Sequence, residues 1–363
     1  MQTEIPCMLM RGGTSKGLYF LASDLPEDIN KIHDVLLAAM GSPDERQIDG
    51  VGGAHPLTSK VAIVSKSTSS DADVDYLFMQ VSVDKAEVSA SQNCGNLLAG
   101  VGAFAIETGL VDASEGSTDV RIRMLNTGSV TTSTVVTQSG KVVYEGNARI
   151  DGVPGTAAPV NLYFQNIAGS SCGSLLPTGN PVDLIDGFRA SCIDNGMPVV
   201  ILDANEFGKT GYESPDELES DLPLKDLIEA IRLKAGALMN LGDVSKKTVP
   251  KMCLVASARN GGLISTRNFI PHRVHEAIGV LGAVSVASAC IIAGSVANSV
   301  SNADLSPGKH TIDVEHPTGF FTVEITSESI AGETRIISSA LLRTARKIMQ
   351  GSVFIPSKVW NPN

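Results

Sequence analysis

Two nearly uncharged segments of small and apolar residues, 185 positions apart, constrain the fold of this chain most strongly. Residues 94–111 and 279–296 both have helical spacing and both close on a glycine and a valine. Upstream, residues 11–26 and 194–208 each combine a glycine-containing turn, an apolar strand and an acidic turn. Because the two matches occur in the same order, they predict a duplicated chain whose halves each place strands around one central helix.

The second of these segments lies within an uncharged run that is long enough to cross a bilayer. Residues 277–297 contain 21 uncharged residues. They are mostly Ala, Gly, Ser and Val, without aromatic anchors, and small residues allow neighbouring backbones to approach closely. We therefore expect a buried helix surrounded by strands and no membrane span.

Composition restricts the class of protein. A chain of 363 residues is long enough for two domains, and its 43% hydrophobic and 18% charged residues are typical of globular proteins. The net charge of −11 disfavours nucleic acid and membranes as partners. Six cysteines without a CxxC pair predict reduced thiols, and residues 1–13 lack the apolar region of a signal peptide. A cytoplasmic protein is expected.

The remaining pattern is mostly that of strands. Alternating or β-branched runs predict strands at residues 61–67, 76–84, 120–126, 141–151, 199–203, 251–256 and 320–326. Helices are predicted at residues 28–41 and 224–239, and residues 339–356 are interpreted as a last helix and strand. The Gly/Pro-rich residues 173–183 are the best linker. We expect one domain at residues 1–184, completed by residues 338–363, and another at residues 185–337.

Cys94 directly precedes Gly95, at the predicted start of the first central helix. The partial positive charge and unpaired N–H groups of a helix N-terminus favour a thiolate there, and they attract a carboxylate as well. Cys94 is therefore a candidate acid/base residue beside a carboxylate-binding site. A buried structural cysteine is the alternative.

No motif for a cofactor or a metal ion emerges. Residues 11–17 (RGGTSKG) lack the order of a phosphate-binding loop, and residues 100–104 lie inside a predicted helix, where a dinucleotide fingerprint does not occur. His272 and His275 have no third ligand in sequence. We expect neither a cofactor nor a metal site.

Five ordered motifs resemble the PrpF family, which includes 2-methylaconitate isomerase, methylitaconate isomerase and 4-oxalomesaconate tautomerase. The motifs are residues 6–17, 40–60, 93–104, 192–200 and 342–351. The residues of these motifs are most similar to those of the 4-oxalomesaconate branch. The resemblance implies an α+β fold like that of diaminopimelate epimerase, with two similar domains, each a curved β structure around a central helix, and an active site between them.

The resemblance also implies that Lys60 and Cys94 are catalytic. Lys60 follows the uncharged residues 52–59 and precedes an apolar strand, and desolvation there would favour the neutral amine that can act as a base. A solvated surface lysine is the alternative. The position that matches Cys94 in the second half is Gly279, so a racemase with two thiols is disfavoured.

The implied reaction is a cofactor-free 1,3-proton shift in a small unsaturated di- or tricarboxylate, 4-oxalomesaconate first, in aromatic-acid catabolism. The alternatives are 2-methylaconitate or methylitaconate as substrate, amino-acid racemisation, and a non-catalytic binding protein. The candidate substrate-binding residues are Thr14, Ser15, Asn93, Gly95, Asn96, Arg267, His272, Arg273 and Gly279. Solvated loop charges are the alternative for Arg267, His272 and Arg273. The oligomeric state stays open, with a homodimer as one option.

Overall fold

The computed structural model of the protein describes residues 1–90, 94–164, 167–270, 273–330 and 333–362. The chain divides into two compact units. The first contains Met1–Tyr163 and Leu342–Asn363, and the second contains Phe164–Leu341. The last strand, β17 (Glu333–Pro356), begins in the second unit and ends in the first.

In its described residues, the first unit is a strand-rich domain with two α-helices. Its elements are β1 (Gln2–Gly12), β2 (Ser15–Leu21), α1 (Ile29–Met40), β3 (Lys60–Lys66), β4 (Val74–Val81), β5 (Val88–Ser89), α2 (Gly95–Glu107), β6 (Gly116–Met124), β7 (Val130–Gln138), β8 (Lys141–Val142) and β9 (Pro159–Phe164). β1 pairs with β2 antiparallel, β2 with β3 parallel, and β3 with β4 antiparallel. β4 then pairs with β6 parallel, and β6 with β7 antiparallel.

The second unit repeats this order of pairings. Its elements are β10 (Asp183–Ile185), β11 (Phe188–Asp194), β12 (Pro198–Asp203), α3 (Pro215–Ser220), α4 (Leu222–Leu238), β13 (Lys251–Ser257), β14 (Ile264–Phe269), α5 (Val280–Cys290), α6 (Val296–Ser301), β15 (Gly308–His316) and β16 (Gly319–Ile330). From β11 to β16, successive pairings are antiparallel, parallel, antiparallel, parallel and antiparallel. This agrees with the predicted duplication.

Each unit buries one helix along almost its whole length. In α2, every residue from Leu97 to Ile106 is buried, and in α5 every residue from Gly282 to Cys290 is buried. The small residues of α2 are required by close neighbours, since a Cβ on Gly102 would lie 2.8 Å from Ser133 Oγ. The predicted buried helix in residues 277–297 is confirmed. Among the described residues, no helix has the length and apolar character needed to span a membrane.

The other predicted helices also form. The side chain of Asp28 accepts a hydrogen bond from the Asn30 N–H and caps α1, which ends at Gly41 with φ of 77°. One face of α1 packs on a buried cluster that includes Phe20, Val61 and Ile355. In the second unit, α4 buries Leu224, Ile228 and Ile231 against a comparable cluster. Hydrophobic periodicity was sufficient to predict both helices.

The predicted C-terminal helix within residues 339–356 is wrong, because this segment lies inside the continuous strand β17. Residues 345–356 of β17 pair antiparallel with β1 along its full length, with one register shift between Leu9 and Met10. Helix propensities differ by only a few tenths of a kcal/mol per residue, and eleven paired positions outweigh them.

The first boundary between the units falls at residues 163 and 164, whereas the sequence placed it after residue 184. Local hydrogen bonds explain the position of the intervening segment. The predicted linker, residues 173–183, leads into β10, which pairs with β11. The N–H of Asp194 in β11 also donates to Leu175 O at 2.9 Å. These hydrogen bonds attach the segment to the second unit.

Candidate active site

Cys94 is the N-cap residue of α2. Its backbone is extended, and its Sγ accepts a hydrogen bond from the Leu97 N–H at 3.4 Å. Cys94 is partly exposed, whereas Cys7, Cys172, Cys192, Cys253 and Cys290 are all buried. The predicted position at the start of the helix is confirmed. A thiolate at this position receives N–H donors and the positive end of the helix dipole.

Two buried tyrosines hold the start of α2. The Tyr19 hydroxyl donates to Leu97 O at 2.5 Å, and the Tyr76 hydroxyl donates to Cys94 O at 3.4 Å. Burial is the main cause that raises the pKa of both phenols well above the ordinary value. Both tyrosines therefore stay protonated, and they position the helix without competing as bases.

The turn between β1 and β2 lies against the first turn of α2. A Cβ on Gly12 would stand 2.5 Å from Asn96 O, and Gly13 adopts a left-handed φ of 52° beside the Asn96 side chain. Glycine is needed at both positions, for space at Gly12 and for space and conformation at Gly13. Thr14 completes this turn and Ser15 begins β2, directly after the two glycines that contact Asn96.

The hydroxyl of Ser15 is an unusual polar group. Ser15 is 1% exposed, and among the described residues its Oγ has no hydrogen-bond partner. Thr14 is partly exposed, and its Cγ2 would lie 3.0 Å from a Cβ on Gly152. A buried hydroxyl without a partner is chemically suited to donate to an anion.

Lys60 begins β3 and is only 7% exposed. Its Nζ donates to Gln80 Oε1 at 2.6 Å and lies 5.0 Å from the centroid of the Phe78 ring. In the described part of the chain, no carboxylate forms an ion pair with Lys60, although Lys209, Lys225 and Lys347 each have one. The desolvated setting that the sequence predicted is present; the catalytic role stays a prediction.

The candidates in the second unit occupy different environments. Arg267 is 5% exposed; its Nε donates to Glu213 O at 2.6 Å and its Nη1 to Thr266 O at 2.9 Å. Burial is the main cause that lowers its pKa. These hydrogen bonds commit part of the guanidinium to the protein itself. Arg273 is exposed, and Gly279 is an exposed N-cap of α5 without a side-chain cap. Asn93 and His272 lie outside the described residues.

Sequence reasoning missed Gln80 and Phe78, which surround Lys60. The register of β3 against β4 pairs Lys60 with Gln80 and Ala62 with Phe78. Strand alternation places all four side chains on one face of the sheet. The predicted strands contained this information, but the register between them was needed to extract it.

His275, one of the two histidines considered as metal ligands, hydrogen-bonds within its own loop. Across the described ranges, no three His, Cys, Asp or Glu side chains are grouped so that they could hold a metal ion. His275 Nδ1 accepts a hydrogen bond from the Ala277 N–H at 2.9 Å, and burial lowers its pKa. His275 therefore belongs to the local structure of its loop.

A solved structure identifies the fold and the class of enzyme to which this chain is similar. The solved structure of a methylitaconate-delta-isomerase matches with a TM-score of 0.86 and 35% identity, covering 100% of each chain. The diaminopimelate epimerase-like fold expected from the sequence is confirmed, and the protein is an isomerase.

The chain belongs to the PrpF family, because the PrpF protein pattern matches residues 2–356. It is 57% identical over 359 residues to a 4-oxalomesaconate tautomerase from Pseudomonas putida, covering 99% of this chain and 98% of that protein. It is 58% identical over 350 residues to a (4E)-oxalomesaconate Delta-isomerase from Novosphingobium sp., covering 96% and 97% of the two chains.

Proposed function

We propose that this protein interconverts tautomers or double-bond isomers of 4-oxalomesaconate by a 1,3-proton shift that needs no cofactor. The substrate rests on the two relatives of 57% and 58% identity. The observation that carries the chemistry is Lys60, a buried amine without a carboxylate partner among the described residues, in the same unit as the partly exposed thiol Cys94.

In this mechanism, Lys60 acts as the base. Its neutral amine takes a proton from a carbon activated by the neighbouring carbonyl, and the C–H electron pair enters a dienolate. Cys94 supplies a proton two carbons away, the double bond moves, and both groups return to their starting states by proton exchange. Because carbanion formation dominates the barrier, donors that stabilise the spreading negative charge matter most.

We assign the stabilisation of that negative charge to the N-terminus of α2 and to the residues at the β1–β2 turn. The backbone N–H groups of Gly95 and Asn96 lie in the first helical turn, where no intrahelical acceptor exists for them. The unpaired Ser15 hydroxyl and Thr14 offer further donors to a substrate carboxylate. Asn93, Arg267, His272, Arg273 and Gly279 remain proposed substrate-binding residues, with Arg267 and Arg273 as counter-charges.

The substrate is tested by turnover in D2O, followed by NMR and mass spectrometry. 4-Oxalomesaconate should give an isomer of unchanged carbon skeleton and oxidation state, with deuterium at the carbon that gains hydrogen. A product without deuterium would mean that a single base, shielded from solvent, carries the same proton from one carbon to the other. Release of CO2 or formation of a hydrated product would reject an isomerase.

Methylitaconate and 2-methylaconitate are the second candidate substrates, favoured by the match to the solved methylitaconate-delta-isomerase. The kcat/KM values measured on all three acids decide between them. If either alternative acid gave a higher kcat/KM than 4-oxalomesaconate, that acid would be the preferred substrate. Proline serves as the racemase control. A racemase with two thiols would need a second cysteine where this chain has Gly279, so no exchange of the proline Cα proton is expected.

We also propose a cytoplasmic homodimer. All six cysteines are free thiols, which suits a reducing compartment. Light scattering coupled to size-exclusion chromatography would give the mass, with 37.9 kDa expected for a monomer.

A further inference from the structure

The side chain of Gln80 is held in one orientation by the backbone around it. Its Nε2 donates to Ser59 O at 3.0 Å, to Pro56 O at 3.1 Å and to Val81 O at 3.2 Å. Only the NH2 end of the amide can donate, and its two hydrogens are shared among the three carbonyls, so a flip of the amide would lose all of these hydrogen bonds. Its Oε1 is therefore fixed as an acceptor, and it faces Lys60 Nζ at 2.6 Å.

The acceptor that Gln80 presents is neutral. A carboxylate at this distance would favour the ammonium form of Lys60 and would oppose its conversion to the free amine. Lys209, Lys225 and Lys347 each pair with a carboxylate oxygen at 2.5 Å. An amide oxygen instead accepts an N–H from either the ammonium or the neutral amine. The Nζ atom can then stay in place while its charge changes.

We propose that Gln80 is the positioning residue for Lys60: it aims Nζ through one hydrogen bond while leaving the amine free to gain and lose a proton. The catalytic consequence rests on the proposed function, in which Lys60 is the base. The effect of Gln80 on the charge of Lys60 is independent of the substrate.

The main test replaces Gln80 with glutamate. In Gln80→Glu, a carboxylate faces Nζ, and an opposite charge at this range stabilises the ammonium by about one to three pH units. The acid limb of the kcat/KM profile should move to higher pH by at least about one unit, with activity recovering at alkaline pH. A residue that only fills space would lower activity equally at all pH values. Gln138→Glu, at an exposed glutamine of β7, is the charge-matched control and should leave the profile unchanged.

Gln80→Met removes the acceptor while keeping the length of the side chain. Loss of orientation should lower kcat by about 10-fold or more with little change in KM, because near-attack geometry is lost rather than substrate binding. This variant carries the test if the glutamate, facing three carbonyl oxygens, prevents folding. Wild-type kcat in folded Gln80→Met would overturn the proposal.

A readout without substrate separates this inference from the proposed function. In protein labelled with 13C at lysine Cε, the Lys60 signal, assigned by its loss in Lys60→Met, reports the charge of Nζ across a pH titration. Its midpoint should move upward in Gln80→Glu even if no tested acid is turned over. An unmoved midpoint in folded Gln80→Glu would overturn the proposal, whatever the activity on 4-oxalomesaconate.

Discussion

At the scale of single residues, burial disfavours the thiolate at five of the six cysteines. Burial raises the pKa of Cys7 to about 11 and that of Cys172, Cys192 and Cys290 to about 12, and it raises the pKa of Cys253 as well. These five thiols stay protonated near neutral pH. Only Cys94 among the six combines exposure with a position at a helix N-terminus.

Iodoacetamide should therefore alkylate Cys94 first, and a bound tricarboxylate should protect it. Peptide mapping by mass spectrometry gives the order of labelling. Cys94→Ser keeps the size of the side chain but has a much less acidic hydrogen, so kcat should fall. Slow, unprotected alkylation together with full activity in Cys94→Ser would assign Cys94 a purely structural role.

Lys60→Ala should lose at least about 10²-fold in kcat, as expected when a general base is removed. Lys66→Ala is the matched control, because Lys66 is the exposed last residue of the same strand, β3. Circular dichroism and thermal unfolding would verify that both variants fold. Near-normal turnover of Lys60→Ala would exclude Lys60 from the mechanism.

Lys251 begins β13 as Lys60 begins β3. Burial, with a smaller effect from Arg232, lowers the pKa of Lys251 from 10.5 to about 8. Between these values the unfolded chain binds a proton that the folded chain does not, so this group makes stability rise with pH through that window. Lys251→Met should remove the rise and be more stable than wild type at pH 7.

Urea unfolding of both proteins at pH 7, 8, 9 and 10 measures this effect. Tyrosines and cysteines titrate in both proteins, so their contributions cancel in the difference in unfolding free energy between variant and wild type. That difference should shrink steadily above pH 8. A pH-independent difference would mean that Lys251 keeps its ordinary pKa.

At residue scale, the sequence predicted the local setting of a residue better than the residues with which its side chain forms hydrogen bonds. The positions of Cys94 and Lys60 follow from local signals, a helix start and the edge of an apolar strand. Gln80 is 20 residues from Lys60 in sequence, and only strand register joins them. The hydrogen bond of Arg267 to Glu213 O likewise depends on tertiary structure.

At the scale of elements, the close approach of the β1–β2 turn to α2 should be essential. Gly13→Ala would introduce a Cβ 2.9 Å from Asn96 Cγ, in addition to a left-handed backbone. Gly140→Ala is the control, since Gly140 has φ of 76° but nothing within 4 Å of an added Cβ. The control should cost about 1–3 kcal/mol from backbone strain alone.

Gly13→Ala should lose more stability than Gly140→Ala, and it should also lower kcat, because the start of α2 must move. Thermal unfolding and steady-state kinetics on both variants measure the difference. Equal destabilisation with unchanged kcat would show that the turn does not position the helix start.

The elements that the sequence predicted correctly carry strong local patterns. The Asp28 cap and Gly41 stop define α1, and alternating apolar residues define β3 and β4. The failure at β17 has the opposite cause. Residues 339–350 have good intrinsic helix formers, and their strand state comes from pairing with the preceding strand β16 and with the distant β1.

At the scale of the whole molecule, the first unit is completed by residues from the far end of the chain. In β17, Ile355 pairs with Thr3 and is fully buried against the α1 cluster, whereas its neighbour Phe354 is 54% exposed on the other face of the strand. The internal repeat and the family resemblance could predict that this segment returns to the first domain. They could not give its register, which depends on which face of β17 is buried.

Ile355→Ala should therefore destabilise the protein by about 2–5 kcal/mol, because it leaves a cavity in a core that the local chain alone cannot fill. Phe354→Ala removes a larger side chain but should cost much less, since most of that side chain is already in water. Urea unfolding compares the two, and amide hydrogen exchange should accelerate in β1, the antiparallel partner of β17, in Ile355→Ala alone. If Phe354→Ala proved the more damaging of the two, the register of β17 against β1 would be shifted by one residue.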